Sequence, residues 1–135
     1  MTTEAFSQEA ESSGQDGTVF ARDDLSINGT GSLTVSAPSA HGIVGNDELV
    51  ITGGNLTVDA AMDALHANDG LRIMAAEMHL TAGDDGIALS GEESELYLES
   101  GEITVTATDN GLSAGNAIRI AGGTLSMETD QKSVV

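Results

Sequence analysis

Two rows of oxygen-bearing side chains recur along this chain at the spacing of a repeat. His41 to Asp63 is 22 residues, Asp63 to Asp85 is 22 residues, and Asn110 continues the row. The positions just before them are Ala40, Met62, Asp84 and Asp109. A second row, Asp23, Asp47, Asp69, Ser94 and Asn116, follows the same period, with Asn46 and Asn68 preceding two of its members. If each repeat is one turn of a coil, equivalent side chains on neighbouring turns lie about 4.8 Å apart. Carboxylates stacked so closely repel, and one must take up a proton unless a cation bridges the pair. Calcium–oxygen distances of about 2.3–2.6 Å let one Ca²⁺ sit between two rungs, with corner carbonyls and water completing its shell. The candidate metal ligands are therefore Asp63, Asp84, Asp85, Asp109 and Asn110 at one corner, and Asp47, Asn68 and Asp69 at the other. The plainer alternative is that Asp-Gly and Asn-Asp form turns, their side chains bonding nearby N–H groups. The nonapeptide calcium repeat is excluded, because its GGxGxD signature is missing. His41, His66 and His79 fall on different rows, so a three-histidine metal site is not expected.

The elements that must position these rows are short apolar triplets with variable middles. The first set is Leu25-Ser26-Ile27, Leu49-Val50-Ile51, Leu71-Arg72-Ile73, Leu96-Tyr97-Leu98 and Ile118-Arg119-Ile120. The second is Leu33-Thr34-Val35, Leu56-Thr57-Val58, Met78-His79-Leu80, Ile103-Thr104-Val105 and Leu125-Ser126-Met127. A looser third set is Thr18-Val19-Phe20, Ile43-Val44-Gly45, Leu65-His66-Ala67, Ile87-Ala88-Leu89 and Leu112-Ser113-Ala114. Alternation of this kind marks strands with one buried face. Three such strands bury little alone, but stacked on the next turn they pair in parallel and build continuous apolar ladders. The expectation is an all-β, single-stranded parallel β-helix, a solenoid of about five coils of 22–25 residues, spanning 15–135. Residues 1–14 read as a flexible acidic tail. Gly53-Gly54, Ala75-Ala76, Ser100-Gly101 and Gly122-Gly123 mark one corner, where glycine supplies the positive φ of a tight turn. Glu92 to Glu95 enlarges the fourth coil, and Ser39-Ala40 adds to the connection after Pro38. Ser133-Val134-Val135 resembles the start of a further coil, so the chain reads as a piece of a longer solenoid whose uncapped ends allow end-to-end association.

Composition narrows the partners. The chain has 22 acidic and 4 basic residues, for a net charge of −18. Nucleic acid and anionic membrane are repelled by such a surface, while divalent cations are attracted. With no Cys there is no thiol catalysis, thiolate metal site or disulfide framework. Phe6, Phe20 and Tyr97 are the whole aromatic complement, so the core must be aliphatic.

Outward positions supply a second chemistry. The middles of the first strand set are Ser26, Val50, Arg72, Tyr97 and Arg119, which gathers two guanidinium groups and one phenol on adjacent rungs. Such a row can hold a sugar chain by stacking and bidentate hydrogen bonds, or it can be a surface cation–π stack. Arg72, Tyr97 and Arg119 are the candidate carbohydrate-binding residues. The second set presents Thr34, Thr57, His79, Thr104 and Ser126, a threonine ladder that His79 interrupts.

Three stretches carry a resemblance: Asp23-Asp24-Leu25-Ser26-Ile27-Asn28-Gly29, Leu49-Val50-Ile51-Thr52-Gly53-Gly54 and Ala82-Gly83-Asp84-Asp85-Gly86-Ile87. They resemble the recurring DDLxINGxGxLTV…LxITGG…AxDDGI pattern of the secreted bacterial carbohydrate-binding β-helix family, whose fold is similar to that of pectate lyases. The resemblance implies a right-handed coil, an extracellular or cell-surface location, and binding of plant cell-wall glycans such as cellulose or pectate. It also implies bound calcium, with ligands at Asp84 and Asp85 and more weakly at Asp63 and Asp109. No catalytic residue is expected, and the favoured function is a non-catalytic, calcium-stabilised polysaccharide-binding module. A polysaccharide lyase is the runner-up. It needs a base and a cation on the same uronate, and Arg22, Arg72, Arg119 and Lys132 are its candidate cationic residues, with no carboxylate ladder evident opposite them. A purely structural or adhesive calcium-binding solenoid is the third reading.

Overall fold

Every described strand finds its partner one coil away rather than next in sequence. The computed structural model describes Phe6–Ser7 and residues 17–129. Among these residues there is no helix, and hence none long and apolar enough to cross a membrane. One sheet stacks Leu25–Asn28, Glu48–Thr52, Gly70–Met74, Glu95–Leu98 and Ala117–Ile120. A second stacks Phe6–Ser7, Ser32–Ala37, Asn55–Ala60, Ala76–Ala82, Gly101–Ala107 and Thr124–Thr129. The third stacks Gly17–Ala21, His41–Gly45, Leu65–Ala67, Ile87–Leu89 and Leu112–Ser113. All pairings are parallel, and the result is a β-solenoid of about five turns.

The registers of the first two sheets follow the apolar triplets, with Leu49 beside Leu71 and Leu56 beside Met78. The third sheet departs by one residue at its start: Val19, not Thr18, pairs with Ile43. Thr18 is buried, and its hydroxyl donates to the Ser36 carbonyl at 3.3 Å, so an apolar-looking alignment gave way to a satisfied polar side chain. Strands of the second sheet are also longer than a triplet. Ala76–Ala82 and Gly101–Ala107 each run 7 residues, because the alternation continues through small inward alanines such as Ala82 and Ala107.

The core is the expected aliphatic stack. Leu49, Ile51, Ile73, Leu65 and Ile87 are fully enclosed, each above its counterpart on the next rung. Two glycines let the backbone close tightly around it. A Cβ at Gly42 would lie 2.3 Å from Val58 Cγ1, and one at Gly86 would lie 2.3 Å from Val105 Cγ1. The glycine corner is structural, with φ of +88° at Gly53 and +83° at Gly54. Ala75 takes the same left-handed conformation at 56°, where an L side chain costs about 1–2 kcal/mol.

Within the segment read as a tail, Phe6–Ser7 form a parallel rung against Val35 and Ser36. The rest of 1–14, and Ser133-Val134-Val135, lie outside the described residues.

Candidate functional site

The first polar row is held by the turn between the second and third sheets. Its backbone already hydrogen-bonds coil to coil: Gly42 N–H donates to the Asp63 carbonyl and Gly86 N–H to the Asn110 carbonyl, both at 2.9 Å. The side chains add a second ladder beside it. Asp63 N–H donates to His41 Nδ1 at 3.1 Å, Asp85 N–H to Asp63 Oδ1 at 3.0 Å, and Asn110 N–H to Asp85 Oδ1 at 2.9 Å. Each acceptor thus satisfies the amide of the next coil rather than of its own turn. One oxygen of Asp63 and one of Asp85 have structural work, which leaves their second oxygens for other partners.

Asp84 and Asp109 stand on neighbouring rungs beside this row, joined by an amide-to-carbonyl bond of 3.0 Å. Carboxylate oxygens of Asp63, Asp84 and Asp85 lie within 4.8 Å of one another. Loss of water raises the pKa of Asp84, and the charges of Asp63, Asp85 and Asp109 add to the rise. Burial raises Asp85 as well, opposed by the hydrogen bond from the Asn110 amide. These are the marks of a site with too much negative charge for its own comfort. Its donors are all oxygen and its charge is high, so the set fits a hard divalent cation.

The second row is looser. Asp23, Asp47 and Asp69 follow one another in backbone register, with Asp69 N–H donating to the Asp47 carbonyl at 2.8 Å. Partial dehydration, then the charges of Asp69, Asp23 and Asp24, push Asp47 upward. Asn68 is turned elsewhere: its Oδ1 accepts the Ser90 hydroxyl at 2.9 Å. Ser94, in the same row, is fully buried, and its Oγ accepts from Gly115 N–H at 2.8 Å. The row's carboxylates are thus exposed or half-exposed, while its serine is absorbed by the fold.

Arg72, Tyr97 and Arg119 do occupy adjacent rungs, as the pairs Arg72–Tyr97 and Tyr97–Arg119. The Arg72 guanidinium carbon lies 5.4 Å from the Tyr97 ring centroid. Arg119 reaches Glu95 at 3.7 Å. The three line an open groove of about 310 Å³ together with Glu48, Asp69, Glu93 and Glu95. Two observations here were not foreseen. The enlarged fourth coil contributes Glu93 and Glu95 to the groove, and Asp69 of the second row also faces it.

The histidines are the other surprise. His41 and His66 belong to different rows, yet their rings stack with centroids 4.7 Å apart over Asp63. Their separation in the repeat hid this, because an imidazole three residues beyond Asp63 reaches back across the coil. The available signal was the His41–Asp63 repeat spacing followed by His66 three positions on.

A family model described as carbohydrate-binding domain-containing protein matches residues 2–135. The chain belongs to that family. A curated carbohydrate-binding domain-containing protein of Acetivibrio thermocellus is 50% identical over 42 residues, which is 31% of this chain and 15% of that protein. Among solved structures, the polysaccharide lyase-like protein from C. thermocellum, as a gadolinium derivative, is similar with a TM-score of 0.73 and 28% identity. That likeness covers 93% of this chain and 55% of the neighbour, so the chain spans about half of the solved protein's length. This member of the family carries, among its polar surfaces, a carboxylate corner and an arginine–tyrosine groove on one solenoid.

Proposed function

We propose that this domain is a non-catalytic, calcium-stabilised polysaccharide-binding module that works outside the cell or at its surface, with plant cell-wall glycans such as cellulose or pectate as ligands. The observation that carries the reading is the Arg72–Tyr97–Arg119 groove. Its open shape suits a chain molecule, Tyr97 offers a face for a sugar ring, and the guanidinium forks suit hydroxyl or carboxylate oxygens. Family membership supports the same ligand class. Calcium would be held by Asp84, Asp85 and Asp109, with Asp63 and Asn110 adjacent, and would neutralise the corner. Asp47 and Asp69 form a second candidate position. Hard-cation chemistry of this kind is in keeping with a neighbour solved as its gadolinium derivative.

The test is retention on insoluble cellulose or pectate with and without EDTA, comparing the native chain with Tyr97→Ala. Retention that the substitution abolishes supports the groove. Equal retention of both chains sinks it.

A lyase remains as a second reading because Asp69 lines the same groove as Arg72 and Arg119. A cation at the Asp47–Asp69 row would then lie beside Arg72 and Arg119, so that the cation and the guanidinium groups together could hold the carboxylate of a uronate, the charge neutralisation that its β-elimination requires. Unsaturated product appearing in the ultraviolet on incubation with polygalacturonate would make the domain an enzyme.

A further inference from the structure

The geometry points to a second site, adjoining the carboxylate corner and sharing Asp63 with it, for a transition-type divalent ion such as Zn²⁺, formed by His41 Nδ1, Asp63 Oδ2 and His66 Nδ1. Asp63 is 5% exposed, and burying a carboxylate is costly unless it is paired. Its ion partners among the described residues are the two imidazoles, with His66 Nδ1 at 2.9 Å and His41 Nδ1 at 3.4 Å from the same oxygen, Oδ2. The other oxygen, Oδ1, is committed to the Asp85 amide. His41 Nδ1 accepts the Asp63 N–H, and while it does so it bears no proton. It then meets Oδ2 lone pair to lone pair, an arrangement that a shared cation reverses from repulsive to attractive.

The spacings match a metal. Zinc lies about 2.0–2.2 Å from imidazole nitrogen and carboxylate oxygen, so ligand atoms at right to tetrahedral angles are about 2.8–3.6 Å apart. The two separations to Oδ2, 2.9 and 3.4 Å, fall within that range, and the three ligand atoms lie within 4.8 Å of one another. Imidazole ligands favour zinc, copper or nickel, whereas calcium takes oxygen. Loading would release the proton that His66 Nδ1 shares with Asp63, and the Asp63 amide would give up its bond to His41. The side chains of His41 and His66 are 16% and 26% exposed, which gives the ion an entry path and leaves room for water in the remaining positions.

The three histidines make the experiment direct. In a titration of the native chain with Zn²⁺ under excess Ca²⁺, followed by NMR of the imidazole signals, those of His41 and His66 should move together while His79 stays. A parallel calorimetric titration should show one ion per chain. The His66→Gln variant, checked for native circular dichroism, should bind Zn²⁺ more weakly by at least the roughly 100-fold that outer-shell changes can cost. Unmoved His41 and His66 signals, full displacement by calcium, or undiminished affinity in the variant would each overturn the assignment. Should the variant fail to fold, the titration of the native chain decides alone.

Discussion

The carboxylate corner and the arginine–tyrosine groove are built from the same repeat, yet they are held in different ways. At the corner, Asp63 and Asp85 each give one oxygen to the amide of the next coil, so a candidate metal ligand is also a structural side chain. In the groove, Arg72 rests on Tyr97, and Arg119 reaches Glu95 through exposed side chains. Residues at the corner are therefore expensive to change, while those in the groove can vary at little cost to the fold. Packing explains the difference. Corner side chains project along the solenoid axis toward the neighbouring coil, whereas the groove side chains stand out from the sheet into water.

The contrast can be broken most severely from inside the corner. Gly86→Ala would press a methyl group against Val105 Cγ1 and the Gly111 carbonyl, the latter at 2.7 Å. Unfolding in denaturant should show a loss of about 3 kcal/mol, typical of overpacking a tight core. Asp63→Ala comes next. It strips the Asp85 amide of its acceptor and His66 of its partner, and should cost about 2 kcal/mol by the same measurement. If it costs no more than a surface change, the side-chain ladder does not hold the corner. Arg72→Ala should leave stability within about 0.5 kcal/mol of native. It should instead weaken polysaccharide binding by about tenfold, as expected for one cation–π or hydrogen-bonding contact of about 1.4 kcal/mol. A large loss of stability there would erase the distinction between the two regions.

The smallest effect is the pH dependence of the metal-free protein. Asp84 and Asp85 have pKa values raised in the fold, through loss of water first, then neighbouring charge for Asp84 and, for Asp85, neighbouring charge partly offset by the Asn110 amide. Folded protein therefore binds more protons than unfolded chain in the window just above the ordinary carboxylate range. Their contribution is most favourable below the unfolded pKa and is lost as pH rises through the raised folded values. Melting temperatures in EDTA should fall slightly across that window as pH increases, and calcium should flatten the trend. A rise with pH would mean that other groups dominate and that the corner carries no excess charge.

Much of the architecture was legible in the residues because stacked coils force the sequence to repeat. Leu-x-Ile triplets can bury one face only by pairing with equivalents one turn away, so the period fixed the rows, and Arg72, Tyr97 and Arg119 landed on neighbouring rungs as read. The exceptions have local causes. Thr18 looked like a strand position beside Ile43 because its neighbours are apolar, but its hydroxyl found the Ser36 carbonyl and the register moved by one. Strand lengths in the second sheet were underestimated because alanine gives a weak apolar signal even where it faces inward.

By itself the sequence determined the coil period, the aliphatic core, the excess of negative charge and the membership of each polar row. These follow from patterning, and patterning is a property of the chain. Only the tertiary structure decided which atoms meet: Asp63 Oδ1 with the Asp85 amide, Asp63 Oδ2 with two imidazoles, and Asp69 with the arginine groove. Side chains on different rows can converge when one projects along the axis and another reaches back across a turn. A repeat spacing fixes backbone rungs about 4.8 Å apart, but a rotamer choice moves a nitrogen or an oxygen by as much again.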